Sequence, residues 1–204
     1  MTDFGFYLVI TNPAVGYAKC AEAAVRAGVK IIQLRMKHAS REEILREAQE
    51  LRRVTAGTET LFIVNDDPSI AAEVGADGVH VGQGDMAPDE VRARYPELRI
   101  VGLSTHNLDQ VRASVTQPID YIGVGPVYAT PTKDIPDPTL GVATALEMIR
   151  SVPFPAVAIG GIDFARAEEL VRAGARNFAV VRAVCGADDP YAAMVRLKAL
   201  ADGR

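Results

Sequence analysis

Cysteine is scarce in this 204-residue chain: only Cys20 and Cys185 occur, with no metal-like spacing. A disulfide scaffold is therefore not expected, and a reduced, cytoplasmic setting fits best. Basic charge is not in excess either. Lys and Arg number 22 against 26 Asp and Glu, a net charge of −4. Nucleic acid and membrane surfaces, which require a basic face, are not expected partners. No apolar run nears the roughly 20 residues of a membrane span. The opening MTDFGFYLVITNP lacks the basic start of a signal peptide. Linkers and low-complexity tracts are missing too, so one domain over 1–204 is expected. Its 49% hydrophobic and 24% charged residues suffice for a substantial core.

What is present is an alternation. Short β-rich apolar runs stand at 5–10, 30–34, 61–65, 78–81, 99–103, 120–124, 155–159 and 177–181. Helical patterns follow near 16–27, 40–56, 68–74, 88–95, 107–115, 140–150, 163–173 and 188–201. Ser40 with Glu43 makes a capping box, and Asp67 before Pro68 makes an N-cap with proline at the first helical position. Eight strand–helix units predict an α/β fold, a (β/α)8 TIM barrel with parallel strands. A doubly wound open sheet is the alternative. No G-x-G-x-x-G follows the first run, which weakens its dinucleotide-binding form.

Such a barrel carries its chemistry where the strands end. The residues found there are Gln33, Arg35 and Lys37, then Asn65, Asp66 and Asp67, then Asp85, then Ser104 and His106. Thr130, Thr132 and Lys133 follow the sixth run, Gly160 and Gly161 the seventh, and Val181 and Arg182 the eighth. Carboxylates on neighbouring strands repel and raise each other's pKa. A divalent cation between Asp66 and Asp85 removes that conflict, and Mg²⁺ takes one or two carboxylates with water and phosphate oxygens. The cations Arg35, Lys37 and Lys133 beside that metal make sense only with a strongly anionic ligand, and a diphosphate satisfies the set. Gly160 and Gly161, between a strand and a helix N-terminus, make a second anion site. Two phosphorylated small molecules are thus expected to meet across the barrel mouth.

The motifs QLRMK, VNDD, ADGVHVGQGD, GLSTH, YIGVGPVYATPTK and AIGGI resemble, in order and spacing, those of thiamine-phosphate synthases. The resemblance spans essentially the whole chain. It implies a (β/α)8 barrel that joins a hydroxymethylpyrimidine diphosphate to a thiazole phosphate, releasing pyrophosphate and forming thiamine monophosphate. It further implies that Gln33, Arg35, Lys37, Asn65, Ser104 and Lys133 bind the pyrimidine diphosphate. Among these, Arg35, Lys37, Ser104 and Lys133 assist catalysis, and Asp66 and Asp85 hold Mg²⁺. Thr130, Pro131 and Thr132, with Gly161, Val181 and Arg182, would hold the thiazole phosphate. The implied mechanism is dissociative, pyrophosphate leaving before the thiazole nitrogen attacks. The oligomeric state is left open, self-association included.

Two positions depart from the family pattern. Met36 stands where Glu is usual, and Arg182 where Ser is usual. Arg182 either contacts the thiazole phosphate or turns outward to an acid such as Asp163 or Asp188. Asp67 reads as a helix cap, His38 as a loop residue, and His80, Tyr121 and Tyr128 as structural or packing residues. His106 is open between a rim role and none. Whether the loop at 129–139, which carries Lys133, closes as a lid is left open. Two other functions compete: a thiazole tautomerase using a rim histidine at His106, and a non-catalytic thiamine-phosphate sensor. The diphosphate apparatus disfavours the first. The second leaves a costly charged site without a use.

Overall fold

Aliphatic and β-branched runs too short for helices form the strands, and amphipathic segments with local caps form the helices between them. The computed structural model describes residues 4–130 and 138–203. The strands are β1 (Phe6–Ile10), β2 (Ile31–Leu34), β3 (Leu61–Asn65), β4 (Gly78–Val81), β5 (Ile100–Thr105), β6 (Tyr121–Val124), β7 (Ala156–Ala158) and β8 (Phe178–Val180). All pair in parallel in chain order, and β8 returns to β1 to close the barrel. The open-sheet alternative is thereby excluded.

The helices are α1 (Tyr17–Arg26), α2 (Arg41–Thr55), α3 (Pro68–Glu73), α4 (Pro88–Arg94), α5 (Leu108–Ser114), α6 (Gly141–Arg150), α7 (Phe164–Arg172), α8 (Arg182–Cys185) and α9 (Pro190–Ala201). The capping box at Ser40 and Glu43 forms, worth about 1 kcal/mol. Asp67 caps α3 by accepting from the N–H groups of Ser69 and Ile70. α8 is the element the sequence pattern misses. It is one turn long, too short for a periodic signal, and Val181 at its start offers no side-chain cap.

Side-chain alternation divides the core in two. Tyr7, Val9, Ile31, Ile63, Tyr121 and Val157 point into the barrel, together with Phe4, Ile100 and Ala179. Their neighbours, such as Leu8, Ile32, Phe62 and Val64, face the helices. Continuing the inward parity upward from Ile31, Ile63, Ile100 and Ala179 gives Gln33, Asn65, Ser104 and Val181. The inward positions are apolar at the base and mostly polar at the top.

The N-terminal end of the barrel is closed by other polar groups. Asn177 Oδ1 accepts from the backbone N–H groups of Phe4 and Gly5, each at 2.9 Å. Asp77 accepts from Phe62 N–H at 2.9 Å and pairs with Arg99. Asp120 accepts from Val101 N–H at 2.7 Å and from Arg92 at 2.6 Å. These acids precede strands and serve the scaffold, whereas those that follow strands stand at the opposite end.

Candidate active site

A cavity of about 380 Å³ opens at the C-terminal ends of the strands. Gln33, Arg35, Asn65 and Ser104 line it on one side, and Thr130, Gly161, Val181 and Arg182 on the other. Eight sequence-expected residues thus share one cavity. Lys37, Asp66 and Asp85 instead line a lateral recess of about 440 Å³, outside the barrel axis. Asn65 borders both spaces. Pro131, Thr132 and Lys133 lie outside the described residues, as does most of the 129–139 loop, whose role as a lid was left open.

The recess explains why a strand ends in two carboxylates. Asp66 adopts a left-handed backbone with φ 66°, which Asp tolerates better than most residues. Its N–H donates to the His80 carbonyl at 2.8 Å, anchoring the turn to β4. The turn sends the Asp66 side chain to Lys37 in an ion pair, while Asp67 turns back to cap α3. Asp85 accepts from Gly82 N–H at 2.7 Å. Burial pushes the Asp85 carboxyl above its ordinary value. The Gly82 N–H opposes this shift, the adjacent Asp66 carboxylate adds to it, and Lys37 opposes it. Among the described residues no three His, Cys, Asp or Glu side chains gather as a metal cluster. Two acids that crowd one another beside a single lysine nevertheless suit a hard cation that draws its other ligands from water and phosphate. Met36 lines the same recess, together with Leu34, Ile44 and Met86. It packs against the outer core, so the departure from Glu makes that wall apolar.

The opposite wall is built on the glycine pair. Gly160 and Gly161 have φ 103° and 66°. Ile159 and Gly160 carbonyls accept from Val127 and Tyr128 N–H groups at 2.9 and 3.0 Å. Arg182, the first residue of α8, lines the same cavity. Asp163, one of its candidate outward partners, caps α7 and lies 3.9 Å from Arg166. Arg166 was not expected from the sequence. It lines the same wall and donates to the Gly161 carbonyl at 2.6 Å. Its only sequence signal is its place three residues after a helix cap.

Below the polar ring, His80 and Tyr121, read from the sequence as structural or packing residues, join Tyr7 in a chain of hydrogen bonds. Gln33 Nε2 donates to Tyr7 Oη at 2.8 Å, and Tyr7 Oη lies 2.9 Å from Tyr121 Oη. Tyr121 Oη lies 2.9 Å from His80 Nδ1, and His80 Nε2 lies 2.9 Å from Ser104 Oγ. All line the cavity. Tyr121 is fully buried, yet its hydroxyl connects two walls of the site. His106 also lines the cavity, with Nδ1 2.6 Å from the Gly125 carbonyl, whereas His38 is exposed as expected.

Comparison with known proteins gives a consistent result. A family model described as thiamine monophosphate synthase matches residues 6–184. A thiamine-phosphate synthase of Chloroflexus aurantiacus is 44% identical over 179 residues, covering 88% of this chain and 82% of that protein. One from Albidiferax ferrireducens is 38% identical over 199 residues, covering 96% and 91%. The solved thiamine phosphate pyrophosphorylase of Pyrococcus furiosus superposes with a TM-score of 0.89 at 29% identity, covering 98% of this chain and 96% of that one. A 3-hexulose-6-phosphate synthase from Salmonella typhimurium, at TM-score 0.77 and 15% identity, shares the fold.

Proposed function

Because this chain belongs to the thiamine monophosphate synthase family and is a transferase of thiamine biosynthesis, we propose that its cavity and recess divide two phosphorylated substrates between them. The pyrimidine ring lies over Gln33 and Ser104, and its diphosphate runs past Arg35 and Asn65 toward Lys37, with Lys133 contributing. The thiazole phosphate takes the other wall, with Thr130, the backbone of Gly161 and Val181, and Arg182, and Pro131 and Thr132 contribute to its binding. One observation carries this reading. Asn65 borders both spaces, so a ring in the mouth and a diphosphate in the recess are contiguous.

Asp66 and Asp85 would hold Mg²⁺, which when bound neutralises charge on a departing diphosphate. The side chains do the rest. The bond from the pyrimidine methylene to the diphosphate oxygen breaks, and its electron pair leaves with pyrophosphate. Arg35, Lys37 and Lys133 stabilise that growing negative charge. The thiazole nitrogen then donates its lone pair to the pyrimidinylmethyl cation, and the phosphate cradle supplies rate by holding it in line. The test is turnover of the purified chain with both substrates and Mg²⁺. Pyrophosphate and thiamine monophosphate should appear in equal amounts. Isomerisation of the thiazole phosphate without pyrophosphate release would replace this reading with the tautomerase, which uses His106.

Two further results are expected. Lys133→Ala should lower kcat about tenfold, the scale of one charge-assisted hydrogen bond, with little change in thiazole affinity. A rise in the thiazole KM alone would move Lys133 to the other phosphate. Arg182→Ser should raise the thiazole-phosphate KM roughly tenfold, about 1.4 kcal/mol, because a guanidinium binds phosphate with two prongs and a hydroxyl does not. The pyrimidine-diphosphate KM should stay put. An unchanged thiazole KM would remove Arg182 from the site.

A further inference from the structure

We propose that Tyr7, Tyr121 and His80 form a one-way hydrogen-bond relay that sets Gln33 as an acceptor and Ser104 as a donor toward the pyrimidine diphosphate. They are positioning residues, and the proposal rests on the substrate assignment above. Each link is between 2.8 and 2.9 Å. Burial pushes both phenols above their ordinary pKa, so each keeps its single proton. A phenol has one proton to give, so one that accepts from a neighbour on one side directs its proton to the neighbour on the other. Gln33 donates an amide N–H to Tyr7, so Tyr7 donates to Tyr121 and Tyr121 donates to His80 Nδ1. His80 must then carry its proton on Nε2 and donate it to Ser104 Oγ. The Ser104 hydroxyl proton is left to point elsewhere.

The two ends now differ in sign. Gln33 presents its carboxamide oxygen to a donor such as the exocyclic amine of an aminopyrimidine. Ser104 presents a proton to an acceptor, a ring nitrogen or a phosphate oxygen. Reversing the relay would reverse both ends together, so one side cannot be misread without the other. The packing holds this chain rigidly. The rings of Tyr7 and Tyr121 meet edge-on at 5.9 Å, and Phe4 flanks them at 5.8 and 6.0 Å. Gly102 makes room for it: a Cβ there would stand 2.2 Å from Tyr121 Cζ and 2.5 Å from His80 Nδ1. No side chain fits between β4 and β6 at that level while Tyr121 and His80 keep their contact.

Two measurements test the relay. Long-range ¹H–¹⁵N correlation on the substrate-free chain, with the His80 signal assigned by its loss in His80→Gln, should give the neutral tautomer protonated at Nε2. A proton on Nδ1 would overturn the proposal. In steady-state kinetics Tyr121→Phe should lower kcat/KM for the pyrimidine diphosphate about tenfold and leave the thiazole-phosphate KM unchanged. The double variant Tyr121→Phe/Ser104→Ala should lose less than the two single losses combined, since the relay acts in part through that hydroxyl. Additive losses would mean that Tyr121 matters only as packing and would sink the relay. If Tyr121→Phe does not fold, the tautomer decides. Ser104→Ala without effect on either substrate would instead refute the substrate assignment, a result independent of the tautomer.

Discussion

Asp66→Asn and Asp85→Asn should each lower Mg²⁺-dependent turnover about a thousandfold, roughly 4 kcal/mol, while the barrel stays folded. Asn keeps the shape of each side chain and, like Asp, tolerates the left-handed backbone of Asp66. Alanine at position 66 should also abolish turnover. It would add strain of about 1 kcal/mol there, which makes Asn the cleaner probe. Both acids line a recess outside the apolar core, so their loss opens no cavity. The Asp66 change also frees Lys37, which is its partner in the ion pair. A free lysine favours the diphosphate, so substrate binding should suffer less than turnover. Near-normal activity at modest Mg²⁺ in either variant, with an unchanged melting temperature, would falsify the metal assignment.

Gly161→Ala should raise the thiazole-phosphate KM about a hundredfold, near 2.7 kcal/mol, and lower the melting temperature by several degrees. A Cβ at Gly161 would lie 2.6 Å from the Ala129 carbonyl oxygen and 3.0 Å from Tyr128 Cβ. The φ of 66° adds strain for any residue with a side chain. Neither obstacle is the end of a flexible side chain, so the segment leading to Thr130 must shift. That displaces the donors of the cradle and one wall of the cavity together. The pyrimidine-diphosphate KM is the internal control, because Gln33, Asn65 and Ser104 stand on other strands. An unchanged thiazole KM would show that the glycine pair serves the turn alone.

Much of the site was legible because its signals are local. The cap at Asp67 left Asp66 for another task, and the backbone agrees: Asp67 bonds to its own helix while Asp66 turns left-handed toward Lys37. The ends of the apolar runs put Gln33, Asn65 and Ser104 at the barrel mouth. The eight-fold alternation specified the barrel, and the ordered motifs specified the family. α8 was not legible, because one turn without a cap leaves no pattern.

By itself, then, the sequence determined the strands and nearly all the helices, the polar strand ends, and the family, since each depends on spacing within a few residues or on motif order. Only the tertiary structure decided how those positions divide between mouth and recess, and which buried groups join them. Met36 became part of a wall with Met86 only once β2, β3 and β4 paired side by side. Tyr7 and Tyr121 are separated by 114 residues, yet their hydroxyls meet at 2.9 Å inside the barrel. Strand register and closure bring them together, and Gly102 leaves the space in which Tyr121 meets His80. No local pattern in the chain encodes such a contact, because hydrophobic periodicity records which face a residue takes and not which partner waits across the barrel.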